Sequence, residues 1–353
     1  MATAPLRTKL YWDFGTAYDL FLSLHVLHEP DIFGLKASWA AGVRSRIPSE
    51  HRQTLELMRN IMSMPHYFVH NLPQPKSAET LLDTLMKMPT GMRLPALYFR
   101  GSSPKELREI LHNCSARAKW TRAEKNVIVE SFRMNNHEAH QTVLEQLHYA
   151  WSHREEYGEA LLAALKSYFD NFFAEEEQRI LPVLKQGLSH AQMRSGSLPL
   201  AAMLEELSSG VRYRDLEQIN GIHLAPSFWG APLLFYDELD NDEMLMLFPA
   251  RPETMAIIPG EIVPDALLNG LKALSDSTRL RILRHLTHCP QTAAQLSRAL
   301  RLRPPTVAHH LMGLRMAGVV QVIISHEGDR QYATRFEGFD TIQDLLYHFV
   351  HGD

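Results

Sequence analysis

The chain has 353 residues, 45% hydrophobic and 22% charged, with a formal net charge of −4. That length supports two or more domains with cores of their own, and the composition is that of a soluble globular protein rather than a disordered or fibrous one. No apolar run reaches bilayer length, the start MATAPLRTKLYWDFGTAYDL lacks a signal-peptide core, and Cys114 and Cys289 are the only cysteines. A cytoplasmic protein without a disulfide framework is therefore expected.

Lys9 to Phe14 reads as a short strand. Gly15-Thr16 then opens a helix with Leu20, Phe21, Leu24 and Leu27 on its face, closed by Pro30. Trp39 to Arg46 and Glu50 to Met64 are predicted helices, the second carrying Leu55, Met58, Ile61 and Met62 at helical spacing. His66 to Lys76 reads as loop, Ser77 caps a further helix, and Pro89 to Gly101 is predicted irregular. Ser103-Pro104 starts a helix to Asn113, and Thr121-Arg-Ala-Glu124 is a capping box for the next. Glu138 to Ser208 is helical in pattern, with a joint expected at Tyr157-Gly158 and a kink or break at Pro182.

Character changes at Gly210. Gln218 to Ala225, Leu233 to Tyr236 and Glu243 to Phe248 are β-forming runs separated by proline, glycine and aspartate. They predict a small antiparallel sheet, joined by Lys9–Phe14. Arg251 to Pro264, with three prolines, is the expected linker. The predicted fold class is thus mainly α with a small antiparallel β-sheet, over residues 1–262, followed by a second domain over residues 263–353.

The second domain is the most sharply punctuated. Ser275 and Asp276 can cap a helix bearing Leu280, Ile282, Leu283 and Leu286, which Cys289-Pro290 ends. Thr292-Ala-Ala-Gln295 is a capping box for a short helix with Leu296 and Leu300. After a turn at Arg301 to Arg303, Pro304 and Pro305 open a third helix with Val307, Leu311 and Leu314 inward, which Gly318 stops. Val319 to Ile324 and Arg330 to Thr334 are strands joined by His326-Glu-Gly-Asp329. Helix, short helix, turn, helix and hairpin make a winged helix-turn-helix.

LKALSDSTRLRILRHL, PPTVAHHLMGLRMAGVV and the charged hairpin resemble the DNA-binding domain of ArsR-type transcriptional repressors. T-V-x-H-H-L-x-x-L-x-x-A-G is the most specific part. The resemblance implies a homodimer on double-stranded DNA with the third helix in the major groove. The family pattern usually has serine where Ala308 stands. AYDLFLSLHVLHEP, LKASWAAGVRSRIP and IHLAPSFWGAP resemble the large N-terminal regions fused to some bacterial ArsR-like regulators, which adds organisation but no chemistry.

Charge points the same way without the resemblance. Leu271 to Arg335 holds ten basic and three acidic residues in a chain that is acidic overall, as a phosphate-binding surface requires. The expected DNA-contacting residues are Pro305, Thr306, Ala308, His309, His310 and Arg315 on the helix, with Arg301, Arg303 and Arg330 around it. His310 has a plainer alternative, a core histidine held by a backbone carbonyl. Leu267, Leu268, Leu271, Ile342, Leu345, Leu346 and Phe349 form an apolar stripe expected to make the dimer.

Nineteen histidines make metal binding worth weighing. The helix Thr278 to Thr287 lacks the cysteine pair that some ArsR-type proteins use, and Cys289 is alone. Asp340, Asp344, His348 and His351 share a helix face but not the family's usual spacing, and a polar outer face explains them better. His25/His28, His66/His70 and His137/His140 have ligand-compatible spacing that chance also produces. No metal or other cofactor is expected. Tyr168, Phe169, Phe172 and Phe173 read as core. No nucleophile elbow, P-loop or dinucleotide fingerprint appears, so no enzyme is expected.

The function expected is a DNA-binding transcriptional regulator that represses. Its N-terminal part would supply dimer surface, a pocket for an unknown small-molecule effector, or both. The alternative is a protein-interaction or dimerisation module whose winged helix no longer binds DNA.

Overall fold

The computed structural model describes residues 8–114, 119–134, 139–260, 262–325 and 329–351. After β1 (Lys9–Trp12) come α1 (Ala17–His28), α2 (Ala37–Ser45), α3 (Ser49–Ile61), α4 (His66–His70), α5 (Ala78–Lys87) and α6 (Thr90–Tyr98). Next are α7 (Lys105–His112), α8 (Arg122–Met134), α9 (Gln141–Ser152), α10 (Arg154–Tyr168), α11 (Ala174–Ser195) and α12 (Leu200–Leu207). Strands β2 (Val211–Tyr213), β3 (Gly221–Ser227), β4 (Phe235–Glu238) and β5 (Glu243–Pro249) follow. The chain ends with α13 (Asp265–Leu274), α14 (Ser277–Leu286), α15 (Ala293–Leu300), α16 (Pro304–Met316), β6 (Val320–Ile324), β7 (Arg330–Thr334) and α17 (Glu337–His351). The molecule is mainly helical with small sheets and a C-terminal winged helix-turn-helix. No helix of the described residues is long and apolar enough to cross a membrane.

The largest core gathers around α1, which is buried nearly all round from Ala17 to Leu27. Asp19, in its first turn, is fully buried and ties α1 to the end of β3. Its carboxylate accepts from the Ser227 hydroxyl at 2.9 Å and from the backbone N–H of Phe228 and Trp229 at 3.0 and 2.7 Å. These bonds join two of the segments singled out above, AYDLFL and PSFWG. Tyr168, Phe172 and Phe173 belong to this core, with a π-helical turn at Phe169–Phe173 between α10 and α11.

The sheet beside this core runs β1-β3-β5-β4. It is mixed rather than antiparallel: β1 and β5 both run parallel to β3, and only β4 is antiparallel to β5. Short apolar runs separated by turn residues suggest hairpins, but that holds only for β4 and β5, which are joined by a tight turn at Asp240–Asp242. Helices α1 to α12 intervene between β1 and β3, a connection long enough for parallel pairing.

Local reading also fails where helices touch. The segment after Pro89 forms α6 despite Pro95, and His66 to His70 forms α4. Helix α10 packs on α6 so closely that a Cβ on Gly158 would lie 2.1 Å from the Thr90 carbonyl oxygen. Gly158 is therefore not a joint but a contact point inside α10. Buried Arg93 adds a hydrogen bond from Nε to the Leu85 carbonyl and an ion pair to Glu159. Helix α11 likewise continues through Pro182.

Between Arg251 and Pro264 there is no helix or strand among the described residues, but the segment is pinned. Asp265 Oδ2 accepts from the Ile257 N–H at 2.6 Å and pairs with Arg251 at 2.9 Å. Arg179 donates to the Ile257 carbonyl. Beyond it, Ile282, Leu283, Leu286, Leu296, Leu300, Val307, Leu311 and Leu314 close a separate core.

Candidate nucleic-acid interface

Each element of the helix-turn-helix is held by local chemistry. Asp276 caps α14 by accepting from the Arg279 N–H at 2.8 Å. Thr292 and Gln295 form a complete capping box on α15. Arg301 ends α15 in the left-handed region at φ 55°, a conformation costly for a side-chain-bearing residue and maintained by its surroundings. Ser297 closes the turn, its hydroxyl donating to the Leu302 carbonyl and its carbonyl accepting from the Leu302 N–H. Arg303 then takes the N-cap position, with Pro304 and Pro305 in the first turn of α16.

Val307, Leu311 and Leu314 are at most 1% exposed, which fixes the rotation of α16. Pro305, Thr306, Ala308 and His309 therefore face solvent on its N-terminal half, and Arg301 and Arg303 are exposed beside them. Arg298, Arg281 and Arg284 are exposed on the neighbouring helices. Gly313 is needed because the Arg279 guanidinium crosses α16 where a Cβ would sit 2.5 Å from Nη2.

Two expected contact residues lie elsewhere. His310 is half-buried, and its Nδ1 finds no hydrogen bond, standing 3.9 Å from Asp276 Oδ1. Burial, opposed by Asp276, pushes the imidazole below its usual range. It is held inward as the plainer reading supposed, but not by a backbone carbonyl. Arg315 is half-buried at the end of α16. Burial is the main influence lowering its guanidinium, while nearby Tyr332 opposes the shift and Arg330 adds to it.

The wing pairs β6 with β7 antiparallel, from Val320↔Thr334 to Ile324↔Arg330. Residues 326–328 of the turn lie outside the described residues. Gln291 bridges Tyr332 on the β7 side. The other edge is covered by β2, which runs parallel to β6 with Val211↔Val322 and Tyr213↔Ile324. Gly210, at φ +100°, turns the chain into this strand and leaves no room for a Cβ against Arg335. Side chains join the same seam: Arg330 donates to the Tyr236 hydroxyl at 3.0 Å, and Arg214 to Gln331 at 2.6 Å. Arg330 thus lies near the wing tip but is held by β4. Strand β2 and Arg214 were missed in the sequence because Val-Arg-Tyr is too short to register as a strand.

The apolar stripe divides. Leu267, Ile342 and Leu345 are at most 9% exposed, packed within this chain where α13 meets α17, and cannot face a second copy. Leu271, Leu346 and Phe349 are about two-fifths exposed, as are neighbours Tyr347 and Val350 more fully, and Leu268 is half-buried.

The histidine pairs do not converge. His66 bonds Asp237 at 3.2 Å and His70 bonds Asp13 at 3.1 Å, each Nδ1 satisfied by a different carboxylate. His28 Nδ1 bonds the Leu24 carbonyl. His137 lies outside the described residues. Cys289 is exposed and Cys114 buried. Among the described residues no group of three or more His, Cys, Asp or Glu is arranged to hold a metal ion.

The family model for the bacterial regulatory proteins of the arsR family matches residues 276–322, from the cap of α14 into β6. No curated protein matches the chain, and no solved structure does. The matched segment, its capped helices and its exposed basic face agree: the C-terminal part of this chain is an ArsR-type helix-turn-helix domain, the DNA-binding module of a transcription regulator.

Proposed function

We propose that the protein is a homodimeric repressor in which residues 263–353 bind an operator and residues 1–262 report a signal to them. The support is one exposed surface: Pro305, Thr306, Ala308 and His309 face solvent on α16, whose rotation its core side chains set, and Arg301 and Arg303 are exposed in the turn beside them. Such a face suits a major groove, with base edges met by the first turns of α16 and phosphates by the arginines. The half-exposed stripe of Leu268, Leu271, Leu346 and Phe349 suits a two-fold contact between copies. A signal would act by favouring one spacing of two winged helices over another, which requires unequal affinity for the two arrangements.

The alternative, an interaction module that has left DNA, draws on two arginines: Arg315 at the end of α16 is half-buried, and Arg330 of the wing is tied to Tyr236. Genomic footprinting of the purified protein separates the two. A regulator protects discrete sites, with affinity falling steeply as salt rises because arginines displace condensed counterions. Affinity indifferent to salt, or no protected site, favours the alternative.

A further inference from the structure

A cavity of about 260 Å³ lies where the N-terminal part meets the winged helix. Leu207 and Pro249 line one side of it, and Met316, Ile342 and Leu345 the other. That is ample for several waters or for a small organic molecule. Met316 is the last residue of α16 and belongs to the large N-terminal core, so the far end of this helix forms a wall of the cavity.

Two opposite charges line the cavity without meeting. Glu253 comes from the segment before α13 and Arg335 from the junction of wing and α17. Among the described residues no hydrogen bond or ion pair within 4.0 Å joins them; burial raises the Glu253 carboxyl above its usual range, and Arg335 offsets that only in part. Arg335 donates Nη1 to the Gly318 carbonyl at 3.1 Å, which leaves Nε and Nη2 for another acceptor. Glu253 keeps a solvent-facing edge at the cavity, which gives a ligand a way in. The other charged groups here are already committed: Arg251 pairs with Asp265, and Glu206 with Arg194. His190 also lines the cavity.

We propose that this cavity binds a small zwitterion with an apolar side chain, an apolar α-amino acid, whose ammonium meets Glu253 and whose carboxylate meets Arg335. The side chain occupies the apolar walls. Such a ligand ties the segment before α13 to the wing–α17 junction and rests against the end of α16. The inference rests on the reading of the winged helix as the DNA-binding half, since only then does this contact regulate anything.

The test uses full-length protein without DNA. Alanine, valine, leucine, methionine and phenylalanine are titrated by calorimetry, with the unfolding temperature recorded. 4-Methylpentanoic acid and 3-methylbutylamine, each lacking one charge of leucine, serve as controls. At least one amino acid should bind saturably and raise the unfolding temperature. Each single-charge analogue should bind about tenfold weaker or worse than leucine. Glu253→Gln is the decisive variant, because its position is solvent-facing and the Arg335–Gly318 bond is untouched; it should weaken binding by about tenfold. Ala266→Leu, which narrows the cavity on α13 and removes no charge, should also weaken it. Binding by none of the five, equal binding of the carboxylic acid alone, or unchanged affinity in both variants overturns the proposal. Footprinting with and without amino acid is the separate arm: protected sites without amino-acid binding sink this inference alone, and amino-acid binding with no protected site in either state sinks the DNA-binding reading alone.

Discussion

Asp19 combines full burial with three hydrogen-bonded groups, and burial prevails, raising its carboxyl from 3.8 to about 6. A carboxyl raised on folding holds its proton more tightly in the native state. Its contribution is present below about pH 4 and is lost as pH rises through about 6. Asp19→Asn keeps an acceptor for the Trp229 N–H and removes the titration. Relative to wild type, the asparagine variant should gain about 2 kcal/mol between pH 4 and pH 7. Denaturant melts at both pH values measure this, and parallel pH dependence in the two proteins would show that Asp19 does not titrate there. At the other end of the chain, Thr306 and His309 are the exposed polar side chains on the first turns of α16. Thr306→Ala and His309→Ala should relax preference at the affected base pair by roughly 1–3 kcal/mol. Buried Val307→Ala should lower stability and leave preference alone. Selection of bound sequences from a random pool decides it; an unchanged consensus in both surface variants would remove α16 from base reading.

At the scale of elements, the wing is the place where the two parts of the chain share a sheet. Strand β2 covers the β6 edge that a two-stranded wing would leave open. At the same seam Tyr236 of β4 meets Arg330, and Arg214, just after β2, meets Gln331. Tyr236→Phe removes one hydrogen bond and little else, freeing the Arg330 guanidinium for phosphate. The slope of log affinity against log salt should steepen by up to about one in that variant. Arg330→Ala should lower affinity for most sequences alike and be insensitive to the Tyr236 change. If Tyr236→Phe leaves the slope unchanged while Arg330→Ala lowers it, the hydrogen bond does not restrain the wing.

For the whole molecule, the proposed two-fold contact has lost Leu267, Ile342 and Leu345 to the chain's own packing, so it rests on a narrower patch around Leu271, Leu346 and Phe349. A patch that small predicts a dimer sensitive to single charges. Leu271→Asp and Phe349→Asp should each yield monomer by light scattering at micromolar concentration, with folding intact because both side chains are partly exposed. Wild-type protein that is already monomeric, bound one per site on DNA, would end the dimer proposal. The same geometry couples the halves, since α16 ends at Met316 inside the N-terminal core and Asp265 pins the start of α13 to Arg251.

The helix-turn-helix is legible in the sequence because its signals are local. Caps at Asp276 and Thr292, prolines at the head of α16 and glycine at Gly318 act within a few residues, and Val307, Leu311 and Leu314 fix one rotation. Most N-terminal helices were legible for the same reason. Tertiary structure decided what depends on partners distant in the chain. Helix α6 forms against α10 despite Pro95, the sheet is mixed because its strands meet across long connections, and three residues of β2 become a strand only by pairing with β6. The same holds for the interface residues: exposure of Thr306 and His309 follows from helical period, whereas the half-buried setting of His310 and Arg315 and the Arg330–Tyr236 bond depend on neighbours distant in the chain that no spacing encodes.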